Sequence, residues 1–305
     1  MSEKVIGFLK RNYLLIIAYL IPIIIIAVSF KTYYSEYYSP KQYQEYEKQC
    51  ELTKNEEICS NKELLKQAND KFIKTDAKSH YFEVTYHYII NYITILAPLI
   101  VILQTISKLH CEFSSGFIKN TLTRMSYKDY LKKIHLTSLK SALILPTIII
   151  VTLLISTLMA RFNFKTPDWV YDMSVYNVIN YKYFFYCIIS SCLIVYLLGI
   201  FYSNIAISFL NKSKNILLVT VFSYLSYFAY VVFFNIVNAI LSNILHNNKL
   251  SVYLNIYDYW HIYGENNYLY FIAISLMLAI ISWLIIKVIY HNKERTIINV
   301  EKENI

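Results

Sequence analysis

The chain has 305 residues, of which 56% are hydrophobic and only 16% charged, yet its formal charge is +9. A soluble nucleic-acid-binding domain accounts for the charge but not the apolar excess; a polytopic membrane protein with basic inner loops accounts for both. Its four glycines, Gly7, Gly116, Gly199 and Gly264, stand far apart, which excludes a glycine-rich phosphate loop or a dinucleotide fingerprint and so nucleotide binding by either route.

Six apolar stretches are long enough for a hydrocarbon core, at about 13–30, 88–106, 141–160, 183–210, 216–241 and 268–286. None contains Asp, Glu, Lys, Arg or His. The runs are continuous, not alternating, so a β-barrel is excluded and an all-α polytopic membrane protein with six transmembrane helices is expected. Lys4, Lys10 and Arg11 ahead of the first run, with Ala27-Val28-Ser29 near its end, have the outline of a signal peptide. The run is long for one and five more follow, so an uncleaved anchor is expected. Pro22, Pro98 and Pro146 lie inside spans 1, 2 and 3, either as kinks that serve a rocking motion or as prolines of the kind membrane helices tolerate.

Residues 31–87 are too polar to span and form a helical insertion between spans 1 and 2. Ser39-Pro40-Lys41-Gln42 and Ser60-Asn61-Lys62-Glu63 read as two helix starts. The first helix runs towards Cys50, and Cys59 lies just before the second cap. A Cys50–Cys59 disulfide would staple the two in an oxidising outer compartment; two free thiols are the alternative. Cys111, Cys187 and Cys192 show no ligand spacing, and no metal site is expected.

The basic residues set the direction. With the N-terminus inside, the inner segments hold 16 Lys+Arg and 6 acids, and the outer ones 13 and 14. Both termini are therefore expected in the cytoplasm and the 31–87 insertion outside. The +9 becomes a topology signal, and no nucleic-acid partner is expected.

Residues 107–140, between spans 2 and 3, carry seven of the inner basic residues. Phe113 and Phe117, then Ile118, Leu122 and Met125, form an apolar face. Ser126-x-x-Asp129 is a helix start with Tyr130, Leu131 and Ile134 behind it. Two short amphipathic helices lying at the inner surface are expected, their basic residues against anionic headgroups.

The same segment resembles a known family. Glu-x-x-x-Gly, then Lys-Asn-x-Leu, then Ser-x-x-x-Tyr-x-x-Lys is similar to the loop between spans 2 and 3 of type-2 ATP-binding-cassette (ABC) exporter permeases, especially those of the bacitracin and lantibiotic-immunity type. The resemblance implies that 1–305 is a single transmembrane permease domain and that 107–140 is the coupling region docking on a separate ATPase subunit. It marks Glu112, Gly116, Lys119 and Asn120, then Ser126, Tyr130 and Lys133; Phe117, Ile118 and Leu122 complete the docking face. Phe117 stands where members often have a small hydroxyl residue, and Met125 where they favour Pro or Gly. It implies a subunit that is not itself an enzyme and holds no cofactor, ATP and Mg being used by the partner. It further implies a second permease copy or related permease, and export from a bacterial plasma membrane.

The spans carry mild polar residues. Asn235 and Asn238 share a face of span 5, with Tyr227 and Tyr230 nearer its middle. They line a cargo path or hydrogen-bond between helices. An apolar or amphipathic cargo fits: a drug, an antimicrobial peptide or a lipid-linked molecule. The alternatives are a membrane enzyme acting on lipid or envelope precursors through Asp168, Asp172, Asp258 and Glu265, and an ion-coupled secondary transporter, which would place ionisable groups near the midplane.

Overall fold

A computed structural model of the protein describes residues 3–38, 40–53, 56–114, 124–165, 183–210, 212–213, 215–245 and 268–291. Among them six helical stretches are long and apolar enough to cross a membrane: Asn12–Glu36, Ala77–His110, Tyr127–Met159, Phe184–Leu210, Ile216–Val237 and Tyr268–Ile289. The protein is an all-α multi-pass membrane protein. Its surface agrees: Leu158, Ile189, Leu269 and Val288 are 62%, 68%, 73% and 76% exposed. In water such side chains would carry an uncompensated hydration cost, whereas hydrocarbon solvates them as well as a core does.

Helix α1, Glu3–Tyr37, extends beyond both ends of the first apolar run, and its one non-helical backbone position is Asn12 (φ −114°, ψ 15°), not Pro22. Helices α2, Pro40–Thr53, and α3, Glu56–Lys74, form the insertion. Pro40 opens α2, where its missing N–H costs nothing. Helix α3 begins at Glu56, so Ser60 lies inside the helix and does not cap it, a correction to the sequence reading. Glu57 puts a carboxylate in the first turn, where the helix dipole favours it. A disulfide joins Cys50 to Cys59 with a Cα–Cα distance of 5.1 Å. Lys62 Nζ lies 3.2 Å from Glu47 Oε1 across the pair, and this bond holds the Glu47 carboxyl below its ordinary range.

The second span starts earlier than its apolar run suggests. Helix α4, Ala77–Glu83, passes into a π-helix, Val84–Ile89, and then into α5, Ile90–Ser114. Residues 76 and 77, 79–82, and 84 and 85 are buried; 86–88 are not, and burial resumes at 89 and 90, 93 and 94, and 97 and 98. The gap falls within the π turn, where Ile90 N–H bonds Thr85 C=O. A π turn holds more residues than an α turn, so it shifts the helical phase between α4 and α5.

The third span also starts earlier. Helix α6, Tyr127–Ala142, is followed after Leu143 by α7, Ile144–Met159. Residues 127–142 therefore extend span 3 and are not a separate surface helix, as the amphipathic pattern suggested. Their buried face, with Tyr130, Ile134, Ser138 and Ser141, continues towards the apolar run. The interruption has a local cause: Pro146 offers no N–H to Ala142 C=O, and its ring crowds that carbonyl. The remaining spans are α8, Phe184–Leu210, α9, Ile216–Leu245, and α10, Tyr268–Ile289.

The chain forms two compact units. One comprises Met1–Ile23, Ile93–Ile149 and Phe185–Ile305. Its core takes a fully buried residue from each span: Ala18, Ile106, Tyr130, Ile207, Val219 and Ile286. The other comprises Ile24–Tyr92 and Ile150–Phe184. There Phe184 meets Tyr81 and Phe82 edge-to-face, with ring centroids 5.7 Å and 5.4 Å away. Tyr33 OH and His80 Nδ1 share a buried hydrogen bond of 2.7 Å.

Candidate functional site

The residues singled out between spans 2 and 3 fall on two helix ends of the first unit. Glu112 lies in the last turn of α5, and Ser126, Tyr130 and Lys133 lie at the start of α6. Gly116, Phe117, Ile118, Lys119, Asn120 and Leu122 lie outside the described residues.

Ser126 is the N-cap of α6. Its Oγ accepts from Asp129 N–H at 3.2 Å and donates to Asp129 Oδ2 at 2.6 Å. This reciprocal bonding satisfies a free donor of the first turn and places a carboxylate at the positive end of the helix dipole. Lys132 Nζ is 3.4 Å from Asp129 Oδ1, so the acid is engaged on both sides.

One turn further on, Lys133 Nζ donates to Glu112 Oε1. Glu112 has 18% of its side chain exposed and Lys133 41%. The pair thus closes the base of the loop from a half-buried position, where solvent screens it less than at a bare surface. Two polar atoms beside it, Glu112 Oε2 and Tyr130 OH, are buried with no hydrogen-bond partner among the described residues.

Hydrogen bonds tie this end to the other spans. Tyr127 OH donates to Tyr290 C=O at 2.6 Å, and Tyr290 OH donates to Ile207 C=O at 2.9 Å. Two tyrosines therefore link α6, the end of α10 and α8 through main-chain acceptors. Tyr290, just past α10, is fully buried, and burial pushes its phenol well above the ordinary range, keeping it a neutral donor. Deeper in, Ser138 Oγ donates to Asn204 Oδ1 at 2.7 Å and Asn204 Nδ2 donates to Ser282 Oγ at 2.9 Å, again joining α6, α8 and α10. Thr105 and Ser203 add a 2.8 Å bond between α5 and α8.

The packing at this point is close. A Cβ on Gly199 of α8 would lie 3.0 Å from both Cα and Cβ of Ala142 and 3.1 Å from its carbonyl oxygen. Glycine here lets α8 approach the α6–α7 junction directly, as small residues do where membrane helices touch.

The span-5 residues are not gathered together. Tyr227 is fully buried, donates to Thr94 C=O at 3.4 Å, and packs edge-to-face on Tyr202 with ring centroids 5.4 Å apart. Tyr230 is half-buried against Phe201 and Phe234, at 5.3 Å and 4.3 Å. Asn235 is exposed, and the side chain of Asn238 lies outside the described residues. So do Asp168, Asp172, Asp258 and Glu265.

Two features have no counterpart in the sequence reading. The Glu112–Lys133 pair bridges 21 positions, and the Tyr127–Tyr290 bond bridges 163. The Ser-x-x-x-Tyr-x-x-Lys spacing places Tyr130 and Lys133 on neighbouring turns but does not name their partners. The second feature is the buried group around Asp76 and His80, which the helical start of span 2 brings into the fold. Asp76 caps α4, accepting from Lys78 N–H at 3.3 Å and from the Ser79 hydroxyl. No family model, no curated protein and no solved structure matches the chain.

Proposed function

We propose that the protein is the transmembrane permease subunit of an ATP-driven ABC exporter, moving an amphipathic or hydrophobic substrate with a separate ATPase subunit. The observation that carries the reading is the joined end of spans 2 and 3. The motif residues Glu112 and Lys133 pair across the loop that contains the coupling-like segment, and Tyr127 and Tyr290 fasten that end to α8 and α10. A force applied at the loop then reaches several spans as rigid-body motion rather than being absorbed locally.

On this reading the loop faces the cytoplasm, the insertion lies outside, and ATP and Mg are handled entirely by the partner. A second permease copy or a related permease completes the pathway. Replacing Gly116–Leu122 with a Gly/Ser segment is expected to abolish co-purification with an ATPase subunit while leaving the protein in the membrane; undiminished co-purification contradicts the reading.

An ion-coupled carrier is the second reading. Its supporting observation is the buried group Asp76, Ser79, His80 and Tyr33 of the other unit, side chains able to hold a proton, which lies at the start of span 2 and not near its midplane. Substrate efflux that survives ATP depletion and stops with an uncoupler would select it over the ABC reading.

A further inference from the structure

A cleft of ≈ 390 Å³ opens between the start of α6 and the end of α10, lined by Tyr127, Lys128, Leu131, Lys287, Val288 and His291. The size is in the range of small-molecule clefts, roughly 300–1,000 Å³. Its chemistry is divided. Tyr127, Leu131 and Val288 contribute apolar surface to its lining, and Lys128 and Lys287 contribute ammonium groups beside the His291 imidazole.

No acid lines it. The nearest acid along α6, Asp129, is already engaged by Ser126 and Lys132. The first turn of α6 adds the positive end of a helix dipole; the end of α10 adds the opposite partial charge, which Lys287 offsets. Lys287 is also positioned, its Nζ lying 5.5 Å from the Trp283 ring centroid. Val288 is 76% exposed beside it, so an apolar surface continues from the cleft along the outer face of α10. The cleft thus lies at the ends of two helices long and apolar enough to span, an end where lysines meet headgroups and the apolar surface beside them meets acyl chains.

We propose that this cleft binds one anionic phospholipid, its phosphate between Lys128 and Lys287 and an acyl chain along Leu131 and Val288. Charge complementarity and apolar continuity select this occupant. A free phosphate would have no use for the apolar surface, and a zwitterionic lipid would bring a choline towards two lysines. The site rests on the cleft and not on the ATPase reading, so either stands if the other fails.

The test is native mass spectrometry of the full chain, purified and stripped of lipid in detergent, titrated with phosphatidylglycerol or phosphatidylcholine of the same acyl chains. The expected result is a phosphatidylglycerol adduct of one-to-one stoichiometry, preferred over phosphatidylcholine. Lys128→Gln with Lys287→Gln should weaken it by about fivefold per lysine, the effect of one basic residue at an anionic membrane surface. The unfolding temperature of the lipid-free double variant should match that of the parent. Lys132→Gln, outside the cleft, should keep the affinity within about twofold. The proposal is overturned if the parent binds both lipids equally, if the double variant keeps full affinity, if Lys132→Gln loses as much as the double variant, or if inorganic phosphate binds with equal affinity.

Discussion

Asp76 combines a helix cap with burial. Burial pushes its carboxyl above the ordinary range, while the bonds from Ser79 and the Lys78 N–H act in the opposite direction. A native carboxyl raised above its unfolded value holds its proton more tightly when folded. Stability from this group is therefore greatest in acid and falls as pH rises from the unfolded carboxyl range through the raised native value. Asp76→Asn keeps the cap acceptor and removes the charge, so it should flatten this pH dependence and be neutral or stabilising at pH 8. Asp76→Ala removes the cap as well as the charge, so it should lie about 1 kcal/mol below Asp76→Asn in stability at both pH values. Thermal unfolding in detergent at pH 5 and pH 8 separates the two. Glu112 and Lys133 behave differently because they complete each other. Glu112→Gln or Lys133→Met should each cost about 1 kcal/mol, between the limits for exposed and buried pairs. The double variant should cost less than the two single effects added together, and a double-mutant cycle that shows simple additivity would deny the pair an energetic role.

At the scale of elements, two interruptions decide where the spans begin. The π turn at Val84–Ile89 shifts the helical phase, and five of the seven α4 residues are buried, so burial there does not follow the single face read from the apolar run 88–106. Periodicity assumes a constant 3.6 residues per turn, and the polar residues His80, Glu83 and His87 add to the impression of a loop. The Ser126 cap was legible, because a serine with an acid three positions on has a local mechanism. What followed it was not. An amphipathic pattern does not distinguish a helix lying on a membrane from one embedded against other spans, and Tyr130, Ser138 and Ser141 are buried by partners distant in sequence. Gly199 belongs at this scale too. A Gly199→Ala side chain would press on the backbone of Ala142, which has no rotamer with which to yield. The change should destabilise by about 1–3 kcal/mol as an overpacked contact, read as a lower unfolding temperature, and Gly199→Val should cost more. An unchanged temperature for Gly199→Val would show that α8 shifts freely at this contact.

For the whole molecule, composition and charge distribution already point to a multi-pass membrane protein. Six apolar runs without a charge leave little else, and the same six spans appear in the structure with their ends moved. Function is less legible, because it depends on what meets the loop between spans 2 and 3. The exposed apolar side chains of the spans, Val288 and Leu269 among them, suit a hydrocarbon surround, whereas the base of the loop is fastened by Glu112, Lys133, Tyr127 and Tyr290. The central claim is that an ATPase subunit docks on this loop. Site-specific photo-cross-linking from position 119 in intact cells tests it most directly. The account predicts a cross-link to a subunit carrying a phosphate-binding loop, lost when Phe117 and Leu122 are replaced by Asp. A cross-link confined to lipid or to other copies of this chain would contradict it.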